Sequence, residues 1–180
     1  MKNLNIAKKV CLSLLITFAS VFALSAQESK ACPCCQPEFR QFDFWLGNWE
    51  TYKPGTDTLL GHNRIVLLQD SCIIQENWTS AQGAYTGTSY NFYNSQTGKW
   101  HQTWIDNQGG SLLLSGRLEG KSMVLRSETM KTSTGEPYIN RITWTPRADG
   151  TVRQHWEISK DDGKTWNTAF DGIYQKVGNP

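Results

Sequence analysis

An all-β fold, an antiparallel up-and-down β-barrel of about ten strands, is what this 180-residue sequence predicts, on three observations. From Trp49 onward, short runs rich in Val, Ile, Thr, Tyr and Trp alternate with Gly, Asn, Asp or Pro, which is strand and turn punctuation. No convincing helical pattern interrupts them. The connections are short and carry glycine, as at 94–98, 107–110, 119–121, 148–150 and 161–163. Short connections make sequential strands antiparallel neighbours, and closing so many of them into a barrel leaves no exposed edge. A two-sheet sandwich is the alternative architecture.

Residues 1–26 read as a secretory signal. Lys2, Lys8 and Lys9 form a positive start, an apolar stretch runs from Val10 to Leu24, and Leu24-Ser25-Ala26 offers a small-residue cleavage site. The apolar stretch is too short to span a bilayer, which takes roughly 20 residues. Cys32 follows Lys30-Ala31, which is no lipidation box. The mature chain is expected to be extracytoplasmic, periplasmic or secreted, and to form one domain of about 154 residues. Over the full 180 residues, 38% hydrophobic and 19% charged residues exclude disorder. Without the three leader lysines the 18 basic residues fall to 15 against 16 acidic, a net charge of −1. That balance leaves no electrostatic footprint for nucleic acid or an anionic membrane.

Residues 27–38 form a cysteine-rich segment. Cys11 departs with the leader, leaving Cys32, Cys34, Cys35 and Cys72. In an oxidising compartment these read as disulfides, with three full pairings open. A bridge from the cluster to Cys72 closes a loop of about 40 residues, worth roughly 4 kcal/mol; Cys35–Cys72 is the pairing expected. Cys-Pro-Cys-Cys lacks the spacing of a zinc ribbon or a thioredoxin motif.

The barrel domain occupies 39–177, with strands expected at 49–53, 63–68, 72–79, 85–93, 100–106, 111–118, 123–130, 138–145, 152–159 and 168–175. The period of two separates their faces. Val152, Gln154, Trp156 and Ile158 oppose Arg153, His155 and Glu157, and the charged face belongs in water. By the same parity Trp100, Gln102, Trp104 and Asp106 point inward, as do Cys72, Ile74, Glu76 and Trp78, and Asn140, Ile142 and Trp144. A filled core would be mostly Leu, Ile and Val. Tryptophans with a few amides and a carboxylate are the lining of a small-molecule cavity, although the same rings could fill a core with their N–H groups satisfied by Gln and Glu.

Phe42-Asp43-Phe44-Trp45-Leu46-Gly47-Asn48-Trp49 is the most distinctive stretch. Its Gly47-Asn48-Trp49 resembles the Gly-x-Trp entry to the first strand of lipocalins and their calycin relatives, whose Trp closes one end of the barrel. With Glu76-Asn77-Trp78, the Trp100-x-x-x-Trp104-x-Asp106 row and the terminal Ser-x-Asp-x-Gly-x-Thr-Trp, the chain resembles a family of secreted bacterial domains that open with FDFWxGxW. That resemblance implies a lipocalin-like or nitrobindin-like barrel. The last strand offers only Lys176 where lipocalins place a capping Arg. Residues 159–166 also resemble the Asp-box hairpin turn of sialidases; one copy builds no propeller, so it reads as a turn in which Asp161 accepts backbone N–H bonds and Trp166 packs beneath.

No Walker loop, GxSxG elbow, HExxH or Rossmann fingerprint is present. His62, His101 and His155 are well separated, with His101 and His155 on the outward face, so neither a zinc triad nor another metal site is expected. Nitrobindin-like barrels hold haem through one histidine, and haem stays open only if a bulge shifts the register. The leading reading is a non-enzymatic protein that binds a small, partly apolar ligand without a cofactor. Trp78, Trp104, Trp144 and Trp156 would supply stacking area, and Glu76, Gln102 and Gln154 would orient the ligand's polar end. An isomerase or hydrolase using Glu76 as acid or base, and a filled-core structural barrel, are the alternatives.

Overall fold

The computed structural model describes residues 32–178; the leader at 1–26 and residues 27–31 of the cysteine-rich segment lie outside the described residues. Eleven strands follow in chain order: β1 (Gly47–Tyr52), β2 (Leu59–Leu68), β3 (Ile73–Ser80), β4 (Thr86–Asn94), β5 (Lys99–Asp106), β6 (Ser111–Glu119), β7 (Ser122–Arg126), β8 (Met130–Lys131), β9 (Pro137–Pro146), β10 (Val152–Ser159) and β11 (Asn167–Lys176). Ten of them form a closed antiparallel barrel in which each pairs with the next, and β11 returns to β1 with Trp49 opposite Lys176. The eleventh, β8, pairs with β9 at its outer end. Among the described residues no helix is long and apolar enough to cross a membrane.

Most strand ends lie within two residues of those expected, and the two larger departures each have a visible reason. The run expected at 123–130 divides into β7 and β8 because Ser127 leaves the ladder, its hydroxyl accepting the Asn140 N–H at 2.9 Å in place of a carbonyl. β2 starts at Leu59 rather than at 63, because Gly61 continues the ladder opposite Ser80. The ring of Trp78 lies over that glycine, where a Cβ would sit 2.5 Å from the indole. A strand glycine here marks a close approach, not a turn.

One end of the barrel is plugged by the segment before β1, which forms two short 3-10 helices, Pro37–Arg40 and Asp43–Trp45. Phe42 stacks on Trp45 at 5.0 Å and presents its edge to Trp100 and Trp144. The Trp49 indole donates to the Trp45 carbonyl at 2.8 Å. These five rings are at most 2% exposed and, with Ile74, Met123, Leu125 and Val152, form the apolar core of that end.

The disulfides correct the expected pairing. Cys34, not Cys35, is bonded to Cys72, and Cys35 is bonded to Cys32. The Cys35 N–H donates to the Cys32 carbonyl at 3.2 Å, a tight turn that closes the two sulfurs locally and leaves Cys34 to reach the β2–β3 connection. Cys72 itself lies in that connection rather than at the start of an inward row, directly after Gln69, Asp70 and Ser71, which all take left-handed φ. The Cys34–Cys72 bond and the Arg40 guanidinium, which donates to the Ser71 carbonyl, tie the plug to this turn.

Candidate functional site

Above the plug the interior changes character. Asn63, Glu76, Ser89, Asn91 and Gln102, from β2 to β5, are all at most 4% exposed and form a polar belt across the middle of the barrel. Buried polar groups persist only when they are hydrogen-bonded, and these largely satisfy one another. The Asn63 amide donates to Glu76 Oε1 and the Ser89 hydroxyl to Glu76 Oε2, both at 2.7 Å. Ser89 is set in that role because Asn91 and Gln102 amides donate to its oxygen at 2.9 and 3.3 Å, leaving its own proton for the carboxylate. On the far side, Tyr174 of β11 accepts from Asn63 at 3.3 Å and donates to the Gln154 side-chain oxygen.

Beyond the belt a cavity of about 530 Å³ opens toward the end of the barrel opposite the plug. Its floor is Glu76, Gln102, Gln154 and Tyr174; its walls are Trp78, Trp104, Trp156, Phe170, Tyr85 and Tyr138, with Leu60, Leu112, Ile142 and Ile158 between them. The volume lies within the range of small-molecule sites, roughly 300–1,000 Å³. The rings are fixed from behind. Trp156 donates to Asn140 at 2.8 Å, and the Trp104 ring lies against Gly87, where a Cβ would come within 2.1 Å of the indole. Tyr85 donates to Asp106 at the rim at 3.1 Å.

The electrostatics of the floor follow from burial. Glu76 is removed from water and its pKa is pushed up to about 7, with the Ser89 and Asn63 hydrogen bonds opposing the shift. Tyr174 is held well above the usual phenol range by burial first and by the Glu76 charge second, so it stays neutral. Asp106 is held down chiefly by the backbone N–H groups of Gly110 and Gln108. A carboxyl near pH 7 inside a mostly apolar pocket is able to exchange a proton with a bound molecule or to hold a positive group.

Six of the seven residues expected at the site, Glu76, Trp78, Gln102, Trp104, Gln154 and Trp156, face this cavity. Trp144 does not. It points inward as its parity requires, but on the plugged side, against Phe42 and Trp45 and fully buried. The expectation that it supplies stacking area for a ligand is therefore corrected: it is core. Asn63, Ser89 and Tyr174, which set the state of Glu76, were not singled out in the sequence. The signal for Asn63 was present, since it alternates with His62 and Arg64, whose charge belongs outside. Phe170 and Tyr174 share a parity on the last strand in the same way.

The histidines lie on the outer surface, His101 stacked on Phe92 at 5.3 Å, His155 against Thr168 at 2.9 Å and His62 beside Glu50. None of the three lines the cavity. The residues present therefore do not fit a haem held through a histidine, and no chemistry is assigned to one. The 159–166 turn is a folded device: Asp161 accepts the Thr165 N–H and hydroxyl at 2.8 and 2.6 Å, and Trp166 lies beneath the Arg141 guanidinium at 3.8 Å. Comparison with protein-family models and with curated proteins finds no match to this chain.

Proposed function

We propose that this barrel binds a small, partly apolar molecule in the cavity above its polar belt, and that it does so outside the cytoplasm. The observation that carries the reading is the division of the interior. One half is closed by stacked rings, whereas the other keeps about 530 Å³ clear, walled by aromatic faces and floored by hydrogen-bonding groups. An aromatic wall with a few convergent polar groups is the usual make-up of a ligand site. The two disulfides and the secretory leader read in the sequence support an oxidising compartment. Native mass spectrometry of the chain purified from its culture medium or periplasm tests the reading. A retained small molecule, lost on denaturation, is the expected result; a chain that is empty and stays empty against apolar and aromatic libraries overturns it.

A second reading has its own observation. Glu76 titrates near 7 while facing the cavity, which suits a general acid or base. Glu76→Gln separates the two readings: it lowers an acid–base reaction by two or more orders of magnitude and leaves binding of a neutral ligand in place.

A further inference from the structure

The cavity has a sign. Among the described residues its carboxyl groups are those of Glu76 and Asp106, and no Lys, Arg or His lines it. Arg141 and Arg153, adjacent in sequence to the cavity-lining Asn140, Ile142 and Gln154, are paired elsewhere, Arg141 with Glu157 at 2.8 Å and Arg153 with Asp171 at 2.6 Å. Glu76 is 4% exposed, and the groups that hold it, Asn63 and Ser89, are neutral donors. A carboxylate offers about four acceptor positions, of which these donors fill two. A buried carboxylate without a counter-charge is costly unless a cation is brought to it. The walls complete the picture, because the faces of Trp78, Trp104 and Trp156 attract positive charge and repel negative.

We propose that the ligand is an organic cation, an ammonium group on an apolar body, with its nitrogen on Glu76 and its body against Trp78, Trp104 and Trp156. The inference rests on the ligand-binding reading above and adds the ligand's charge to it. A fatty acid or other carboxylate of the same size meets Glu76 and Asp106 with no cation to receive it, and is rejected. Asp106 at the mouth, beside Tyr85, draws the same charge inward.

The test uses bodies matched in shape and differing in charge: 1-naphthylmethylamine, 1-naphthalenemethanol and 1-naphthoate, then octylamine, octanol and octanoate, each titrated calorimetrically into the full mature chain. In each set the amine is expected to bind at least tenfold tighter than the alcohol, with the carboxylate weakest. Glu76→Gln is expected to cost the amine at least tenfold and to leave the alcohol within about twofold, a charge-assisted hydrogen bond being the interaction lost. Equal binding of all three, or a preference for the carboxylate, overturns the cation inference and leaves the ligand-binding reading standing. Binding of none of the six overturns both.

Should Glu76→Gln not fold, the wild-type pH profile decides. The groups facing Glu76 are Asn63 from β2, Ser89 from β4, Gln102 from β5, Gln154 from β10 and Tyr174 from β11, with Tyr85 and Asp106 at the rim. Tyr174 and Tyr85 are held above their ordinary range and Asp106 below it, so among these groups Glu76 alone titrates near neutrality. Amine affinity is expected to fall up to tenfold per pH unit below about 7 while alcohol affinity does not. A pH-independent amine affinity refutes the contact.

Discussion

The two ends of this barrel use the same residue for opposite purposes. Of the eight tryptophans, Trp45, Trp49, Trp100 and Trp144 meet at the plugged end, each at most 2% exposed, whereas Trp78, Trp104 and Trp156 stand half-buried around the cavity. At the plugged end rings from the segment before β1 fill the interior; at the open end, among the described residues, no segment descends, and the rings line the cavity. A tryptophan is thus core where another ring covers it and cavity wall where none does. The polar belt between the ends, which carries Glu76, is the boundary.

The largest effect should come from truncating a ring in each half. Trp45→Ala removes a fully buried side chain that touches Phe42, Trp144 and Tyr174 and should cost about 3–5 kcal/mol. Trp156→Ala, facing open space, should cost clearly less and should instead weaken probe binding. Urea midpoints read the first difference and calorimetry the second. Equal losses of stability from both substitutions would erase the distinction between the ends.

The plug also depends on its tether. Opening Cys34–Cys72, which spans 38 residues of sequence, should cost about 4 kcal/mol in the chain-entropy model, while opening Cys32–Cys35, three apart, should cost about 2 kcal/mol. Paired serine substitutions compared by thermal unfolding check the ranking. The reverse order would place the anchoring role on the local bridge.

The comparison also explains what was readable in the sequence. The strands and their turns were, because a period of two and glycine-bearing connections are local signals. So was the inward face of Glu76, Gln102, Trp104, Gln154 and Trp156. Parity states which face a side chain takes but not how far along the barrel it sits. Asn140 and Ile142 line the cavity, and Trp144, two residues further along the same strand, has passed below the belt into the core. That depth is set by strand register, which sequence spacing does not contain. The Cys34–Cys72 bond was hidden for a related reason, since the turn that brings Cys32 to Cys35 is local backbone geometry invisible in the spacing. Asn63 and Ser89 had legible parity, but their role needs the cross-strand partner.

The belt predicts a pH dependence of stability. The Glu76 carboxyl titrates near 7 in the folded chain and at its ordinary 4.5 when unfolded. Below 4.5 it is neutral in both states and the penalty is absent; between 4.5 and 7 the unfolded chain ionises first and stability falls. Above 7 the loss is complete, at about 3 kcal/mol. Glu76→Gln should remove this slope, and the difference between the two urea-midpoint profiles isolates it from other groups. Profiles that run parallel would show that the carboxyl is not buried as described. A bound ammonium should also flatten the slope by holding the ionised form, whereas an apolar alcohol should not.

The smallest effect on stability distinguishes the ends most cleanly. Gly116 and Gly87 each lie under a close neighbour, and an added methyl has different room at each. At Gly116, opposite Trp100 in the plugged half, the Cβ would lie 2.0 Å from the Val124 carbonyl oxygen, and backbone has nowhere to retreat. At Gly87 the Cβ would lie 2.1 Å from the Trp104 ring, which has the cavity behind it. Gly87→Ala should therefore cost only about 1–3 kcal/mol, the ring swinging inward, while Gly116→Ala should cost more. Binding should rank the other way: the displaced indole occupies the ligand's space, so Gly87→Ala should abolish probe binding while the fold survives, and folded Gly116→Ala should bind as wild type. Retained binding in Gly87→Ala would mean that the ring moves along the wall, and that Trp104 does not border the space the ligand uses.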